Sequence, residues 1–215
     1  LKLLEGGKQR SVTLKDRIFA NLLEADAMDR MPELLFVCCN PNQLHLVTLD
    51  LTRFLENLAE RNKLTSVEDI RRHVPILLIL PNGIIAEQTV RGFEEQIHES
   101  LLMGRLPGLS EAMVPAVLDR LGRGISLQAG GRRGSGSDTV YLLERKGSLL
   151  FAGGGEAERA RVEAILGPHG YPFQHARNVP GTRIEFDKAM ISIVLNVGGL
   201  IHMVQPDGAL IDLRM

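Results

Sequence analysis

The 215-residue chain carries 25 lysines and arginines against 26 aspartates and glutamates, a formal charge of -1, and 44% of it is hydrophobic. That length and apolar content suit one large domain or two small ones with a real core. The balanced charge leaves no basic face for nucleic acid and no polybasic patch for a membrane surface.

In chain order, residues 11–15 alternate and predict a short strand, 26–30 are acidic and polar, and Met31-Pro32 is a break. Residues 34–39 form a continuous apolar run, the mark of a strand buried on both faces, and Asn40-Pro41-Asn42 stops it. Cys38 and Cys39 are adjacent in that run and point to opposite faces, so they read as unbridged core thiols of a reducing compartment. Leu44, Val47, Leu51, Phe54, Leu55 and Leu58 recur at helical spacing through residues 43–61. A polar stretch follows, with a short helix over 67–72, and then a second buried strand over 74–80 that ends at Pro81-Asn82-Gly83.

Two buried strands joined by a helix make a βαβ unit with a parallel sheet, and ligands of such sheets bind beyond the carboxyl ends of the strands. The turns at Asn40-Pro41 and Pro81-Asn82-Gly83 are therefore expected on the ligand side. Residues 84–102 predict a helix interrupted at Gly92, and 111–121 a further helical stretch. Strands are expected over 124–129, 138–144 and 148–152, with Lys146-Gly147 as a hairpin turn between the last two. A charged amphipathic helix over 156–166, a strand over 173–176 and a long helix over about 185–200 complete the pattern. The fold class is α/β: a partial Rossmann-like parallel sheet with an antiparallel strand patch, followed by the start of an α-helical C-terminal domain. The expected division is 1–177 for the dinucleotide-binding part and 178–215 for the helical part.

The long helix has two faces. Phe186, Ala189, Met190, Ile193, Val194 and Val197 recur at i, i+3 and i+4 and predict the core stripe. Lys188, Ser192 and Asn196 recur every fourth residue on the other side, roughly 200° from Phe186 at the outset. That second face holds a single charge where a solvated face would hold several, so it reads as a semi-buried cleft wall. A lysine there is partly desolvated, which lowers its pKa and suits it to proton transfer. The plainer alternative pairs Lys188 with Glu185 or Asp187 and gives it no further task.

Other candidates are weaker. Asn82 before Gly83 favours a turn with φ > 0, yet an amide at a strand end also orients a carboxamide or carbonyl. The cluster from Gly130 to Gly136 precedes a strand where a phosphate loop precedes a helix, so it reads as a flexible connection, with Arg132 and Arg133 as an anion site in the alternative. Gly153-Gly154-Gly155 has the strand–glycine–helix order, but Glu156 and Glu158 stand where an anion would bind, and it reads as a turn. The six histidines form no metal-ligand spacing, so no metal is expected. No nucleophile elbow supports a hydrolase.

The succession of a strand with Asn40-Pro41-Asn42-Gln43, a strand with Asn82-Gly83, the run Leu149-Leu150-Phe151-Ala152-Gly153, and a helix with Asp187-Lys188 and Asn196 resembles the ketopantoate reductase family. These are NADPH-dependent reductases of 2-oxo acids in the larger group that includes 6-phosphogluconate dehydrogenase. The resemblance spans most of residues 34–200. It implies that Lys188 is the general acid, that Ser192 and Asn196 bind substrate, and that Asn40, Gln43, Asn82 and Gly83 lie at the cofactor. Serine at 192 stands where the family has asparagine, and Asn40 where it commonly has lysine. The implied cofactor is NADP, with NAD the alternative, and the implied partner is a small 2-oxo acid; the assembly is open and includes a homodimer. The family's glycine-rich opening is not found before Ser11, nor the rest of its helical domain after Met215, so flanking sequence is expected at both ends. No apolar stretch reaches the roughly 18–20 residues of a membrane span. No signal peptide is visible, and the expected location is the cytoplasm. The other readings are a non-catalytic nucleotide- or metabolite-binding protein and an oligomerising structural domain.

Overall fold

The computed structural model describes residues 2–5, 8–11, 22–27, 31–127, 129–135, 139–145, 147–169 and 172–203, with the backbone alone described at 2–5, 8–11, 25, 129–133, 141–145, 169 and 195–203. In chain order the elements are β1 (Lys2–Glu5), β2 (Lys8–Ser11), α1 (Leu22–Ala27), β3 (Leu34–Val37), α2 (Leu44–Glu60), α3 (Val67–His73), β4 (Ile76–Ile79) and α4 (Ala86–Leu102). They continue with α5 (Val114–Leu118), β5 (Leu121–Ser126), β6 (Ala129–Arg133), β7 (Val140–Arg145), β8 (Leu149–Gly153), α6 (Glu156–Leu166), β9 (Phe173–His175) and α7 (Gly181–Met203).

The fold is α/β. Its main sheet runs in the order β3-β4-β5-β8-β9. The pairs β3/β4, β4/β5 and β8/β9 are parallel and β5/β8 is antiparallel, so β8 and β9 together run opposite to the parallel Rossmann-like unit β3-β4-β5. A second sheet runs β2-β1-β7-β6, with antiparallel β1/β2 and β6/β7. The expected βαβ unit is β3-α2-β4.

Burial explains where the strands stop. All four residues of β4 are buried, because helices and both neighbouring strands enclose it. β3 is an edge strand among the described residues, and Phe36 is exposed, which corrects the expectation of burial on both faces. Cys38 lies beyond its end and is exposed rather than a core thiol; both cysteines are free. The main core gathers Leu51, Phe54, Leu55 and Leu58 of α2, Phe93 and Ile97 of α4, Val117 of α5 and Leu77 of β4. A smaller core on the other sheet face joins Ile76, Leu78, Phe151 and Val162.

Glycine misleads the sequence reading at three places. α4 passes through Gly92 unbroken, since Phe93 and Ile97 bury its face and open space lies where a Gly92 Cβ would project. β5 begins at Leu121, not at 124, and α5 is correspondingly short. Gly122 lets the Phe151 ring of β8 lie directly on β5, where a Cβ would drive into that ring. The segment expected to be a flexible connection contains β6, paired to β7 from Ala129↔Arg145 to Arg133↔Val140. β7 and β8 fall in different sheets, so Lys146-Gly147 does not join a hairpin; Lys146 itself lies outside the described residues. Of the strand expected over 11–15, only Ser11 is described.

The face of α7 is the largest correction. Phe186, Ile193 and Val194 of the expected core stripe are 51%, 54% and 63% exposed. The helix instead buries Ile184 and Glu185, which face β5, β8 and the start of α4. Apolar residues surround α7, so periodicity alone could not choose its inner side; a buried ion pair does.

Candidate active site

Arg123 of β5 and Glu185 of α7 form that pair, with Nε 2.5 Å from Oε1 and side chains 4% and 0% exposed. The remaining guanidinium N–H groups donate to the carbonyls of Ile79 (2.5 Å), Gly124 (2.5 Å), Pro81 (2.6 Å) and Gly83 (3.4 Å). Arginine has five N–H donors, and all five are engaged inside the protein. Burial pushes the Arg123 pKa down while Glu185 holds it up. The carboxylate of Glu185 also accepts from the backbone N–H groups of Ile85 and Ala86 at 3.0–3.1 Å. No side chain of the turn before α4 caps that helix, so Glu185 caps it from α7, where an anion also meets the favourable end of the helix dipole.

One helical turn beyond Glu185, Lys188 reaches back to the β4–α4 turn. Its Nζ donates to Asn82 Oδ1 at 2.6 Å and lies 3.5 Å from the Ser126 carbonyl at the end of β5. Both acidic neighbours are engaged elsewhere, Glu185 with Arg123 and Asp187 with Arg183 at 3.0 Å. The simple ion-pair alternative for Lys188 therefore does not hold. Desolvation, and then the nearby Arg123 charge, push the Lys188 pKa below the ordinary lysine value.

Lys188, Asn82, Gly83 and Ser192 line one open cleft of about 600 Å³, together with Arg123, Glu185, Ile125, Leu127 and Ile191. Asn82 is exposed, and Gly83 has φ +129°, a conformation that disfavours any side chain. Ser192 is exposed along the same α7 face. Asn196 follows on that helix, but its side chain lies outside the described residues.

Asn40 and Gln43 do not line this cleft. Gln43 turns back so that its Oε1 accepts from the Asn40 N–H at 3.1 Å, closing the turn that opens α2. The adjoining residues Asn42, His45, Thr48 and Gln88 line a separate groove of about 590 Å³ between α2 and α4. Ile85 lines that groove, whereas Asn82 and Gly83, a few residues earlier, line the Lys188 cleft. Arg132 and Arg133 lie on β6, their side chains outside the described residues.

The glycine run before α6 is a turn, as expected. Gly153 and Gly154 have φ +77° and +69°, and the Gly155 N–H donates to the Asp119 carbonyl at 3.1 Å. Glu158 is buried beside it and pairs with Arg120 at 3.3 Å. No group of three metal-ligating side chains and no helix long and apolar enough to cross a membrane occurs among the described residues.

No protein-family model and no curated protein matches the chain. Its backbone aligns in part with solved structures. D-mandelate dehydrogenase in a ternary complex with NADH and anilino(oxo)acetate aligns over 94% of this chain and 50% of that one, at 16% identity and a TM-score of 0.49. A probable 2-dehydropantoate 2-reductase from Bacillus subtilis aligns over 95% and 50%, at 16% identity and a TM-score of 0.43. The chain thus spans about half the length of each.

Sequence reasoning singled out Lys188, Asn82, Gly83 and Ser192, which the structure brings to one cleft, but gave Arg123 no part and named Glu185 only as a possible partner of Lys188. A signal was present: Arg123 lies between glycines in an apolar stretch, and a charge there needs a buried partner.

Proposed function

We propose that the cleft is the substrate end of a nicotinamide-dependent reductase of small 2-oxo acids, with Lys188 as general acid. The observation that carries this reading is the Lys188 ammonium held 2.6 Å from Asn82 Oδ1, in a partly apolar cleft, with no carboxylate partner among the described residues. Such a lysine is charged, desolvated and presented to a ligand oxygen, which is what a developing alkoxide requires.

The Asn82-Gly83 turn suits the carboxamide end of a nicotinamide: one amide side chain and one residue without a side chain, both lining the cleft just beyond the end of β4. Asn40 and Gln43 would lie toward the cofactor from the neighbouring strand end. Among the described residues, the strand–glycine–helix turn before α6 is closed to a pyrophosphate by Glu158 and the Asp119 carbonyl. A bound reduced nicotinamide supplies the hydride.

The chain's own residues do the rest. Lys188 takes the ketone oxygen as a hydrogen-bond acceptor beside Asn82. As that oxygen gains the carbonyl π electrons, the ammonium transfers a proton to it, giving the 2-hydroxy acid. Ser192, one turn along, binds a substrate carboxylate or hydroxyl, and Asn196 extends the same row. The positive charge of Lys188 favours an anionic substrate, and Ile125, Leu127 and Ile191 give its carbon side an apolar wall.

The test is oxidation of NADPH, then NADH, by the full-length protein with a panel of 2-oxo acids. Turnover should fall about 10²-fold or more in Lys188→Ala. A loss confined to substrate affinity would contradict the proton-donor role.

A further inference from the structure

We propose that Arg123 and Glu185 are positioning residues for that site: the buried pair fixes the Asn82 turn and the Lys188 helix to each other, so that the two reactive side chains meet. The inference deepens the reductase reading and rests on Lys188 being its proton donor.

Placement carries the argument. Arg123 holds the carbonyls of Pro81 and Gly83, the residues on either side of Asn82. Glu185 precedes Lys188 by three positions, one helical turn, and its carboxylate is fixed to the Ile85 and Ala86 amides that follow the same turn. The Arg123–Glu185 bond closes the loop between the two segments. Gly181 lets the start of α7 approach this closely: a Cβ there would lie 2.9 Å from Arg123 Cβ.

Transferring two charges from water is costly, and an apolar pair of similar volume often serves stability as well or better. Here the whole guanidinium is consumed internally, so Arg123 lines the cleft without offering a donor to a ligand. What it does offer is position and a fixed charge beside Lys188. The charged groups facing Lys188 among the described residues are Arg123 from β5 and Glu185 from α7; the β4–α4 turn contributes the neutral Asn82.

The experiment reads Lys188 directly in the full-length protein. Its acylation by a small anhydride is followed against pH by peptide mass spectrometry, with kcat and KM measured in parallel. Arg123→Met should move the acylation midpoint upward, because a neighbouring positive charge is gone. Glu185→Gln should move it downward, because that charge is left uncompensated. Arg123→Lys keeps the charge and loses the fork: its midpoint should stay near that of the natural protein while kcat falls about tenfold or more, with KM changed less.

An unchanged midpoint in both Arg123→Met and Glu185→Gln, with folding verified by circular dichroism, would overturn the proposal. So would failure of all three variants to fold, which would make the pair a structural brace alone. If the natural protein oxidises no nicotinamide with any 2-oxo acid, the reductase reading fails, and the acylation profiles still decide whether the pair positions Lys188.

Discussion

Lys188 Nζ and Asn82 Oδ1 stand 2.6 Å apart although 106 positions separate them in the chain. The bond joins the inner face of α7 to the end of the fully buried strand β4. It is a charge-assisted contact, and the same ammonium also reaches the Ser126 carbonyl at 3.5 Å.

Its pH dependence follows from the lowered lysine pKa. The working form is protonated, so turnover should fall as pH rises through a midpoint below the ordinary lysine value of about 10.4. The stability effect has the opposite sense. Between the lowered folded value and the ordinary unfolded one, the unfolded chain binds more protons, so stability rises with pH across that window. Urea midpoints at several alkaline pH values should show this rise in the natural protein and a weaker one in Lys188→Met.

Asn82→Asp places a carboxylate where the amide oxygen now stands. The new ion pair should raise the Lys188 pKa and carry the alkaline limb of the rate profile upward. Because position 82 is exposed, stability should stay within about 0.5 kcal/mol, checked by urea unfolding.

Gly122→Ala tests the contact between β5 and β8. The added methyl meets the Phe151 ring, and Leu78 Cδ2 at 2.9 Å. Overpacking of this kind costs about 1–3 kcal/mol, so the urea midpoint should drop while Lys188 labelling is retained in the folded fraction.

The outer face of α7 makes a contrasting prediction. Ile193→Gln should change stability by no more than about 0.5 kcal/mol, since the residue is 54% exposed. Ile184→Ala, at a position 3% exposed, should cost about 2–5 kcal/mol. Paired urea titrations of the two variants decide which side faces inward.

Much of this architecture was legible in the sequence. The apolar runs gave β3 and β4, the spacing of Leu51, Phe54, Leu55 and Leu58 gave α2, and the strand-end turn gave the place of Asn82. The charge-poor row with Lys188 and Ser192 pointed to a cleft wall, and that row does line the cleft. What the sequence hid was long-range. Glycines that look like breaks sit at Gly92 against open space and at Gly122 under an aromatic ring. The orientation of α7 depends on Glu185 finding Arg123 62 positions away, and no local period encodes that.

The central claim is that Lys188 delivers the proton in a nicotinamide-dependent reduction. The most direct measurement is single-turnover oxidation of bound NADPH by a 2-oxo acid, followed by absorbance against pH for the full-length natural protein and for Lys188→Ala. The account predicts a transient whose rate falls at alkaline pH in the natural protein, and a rate about 10²-fold lower without that alkaline limb in the variant. Equal transients in the two proteins, or none with either nicotinamide cofactor, would contradict it.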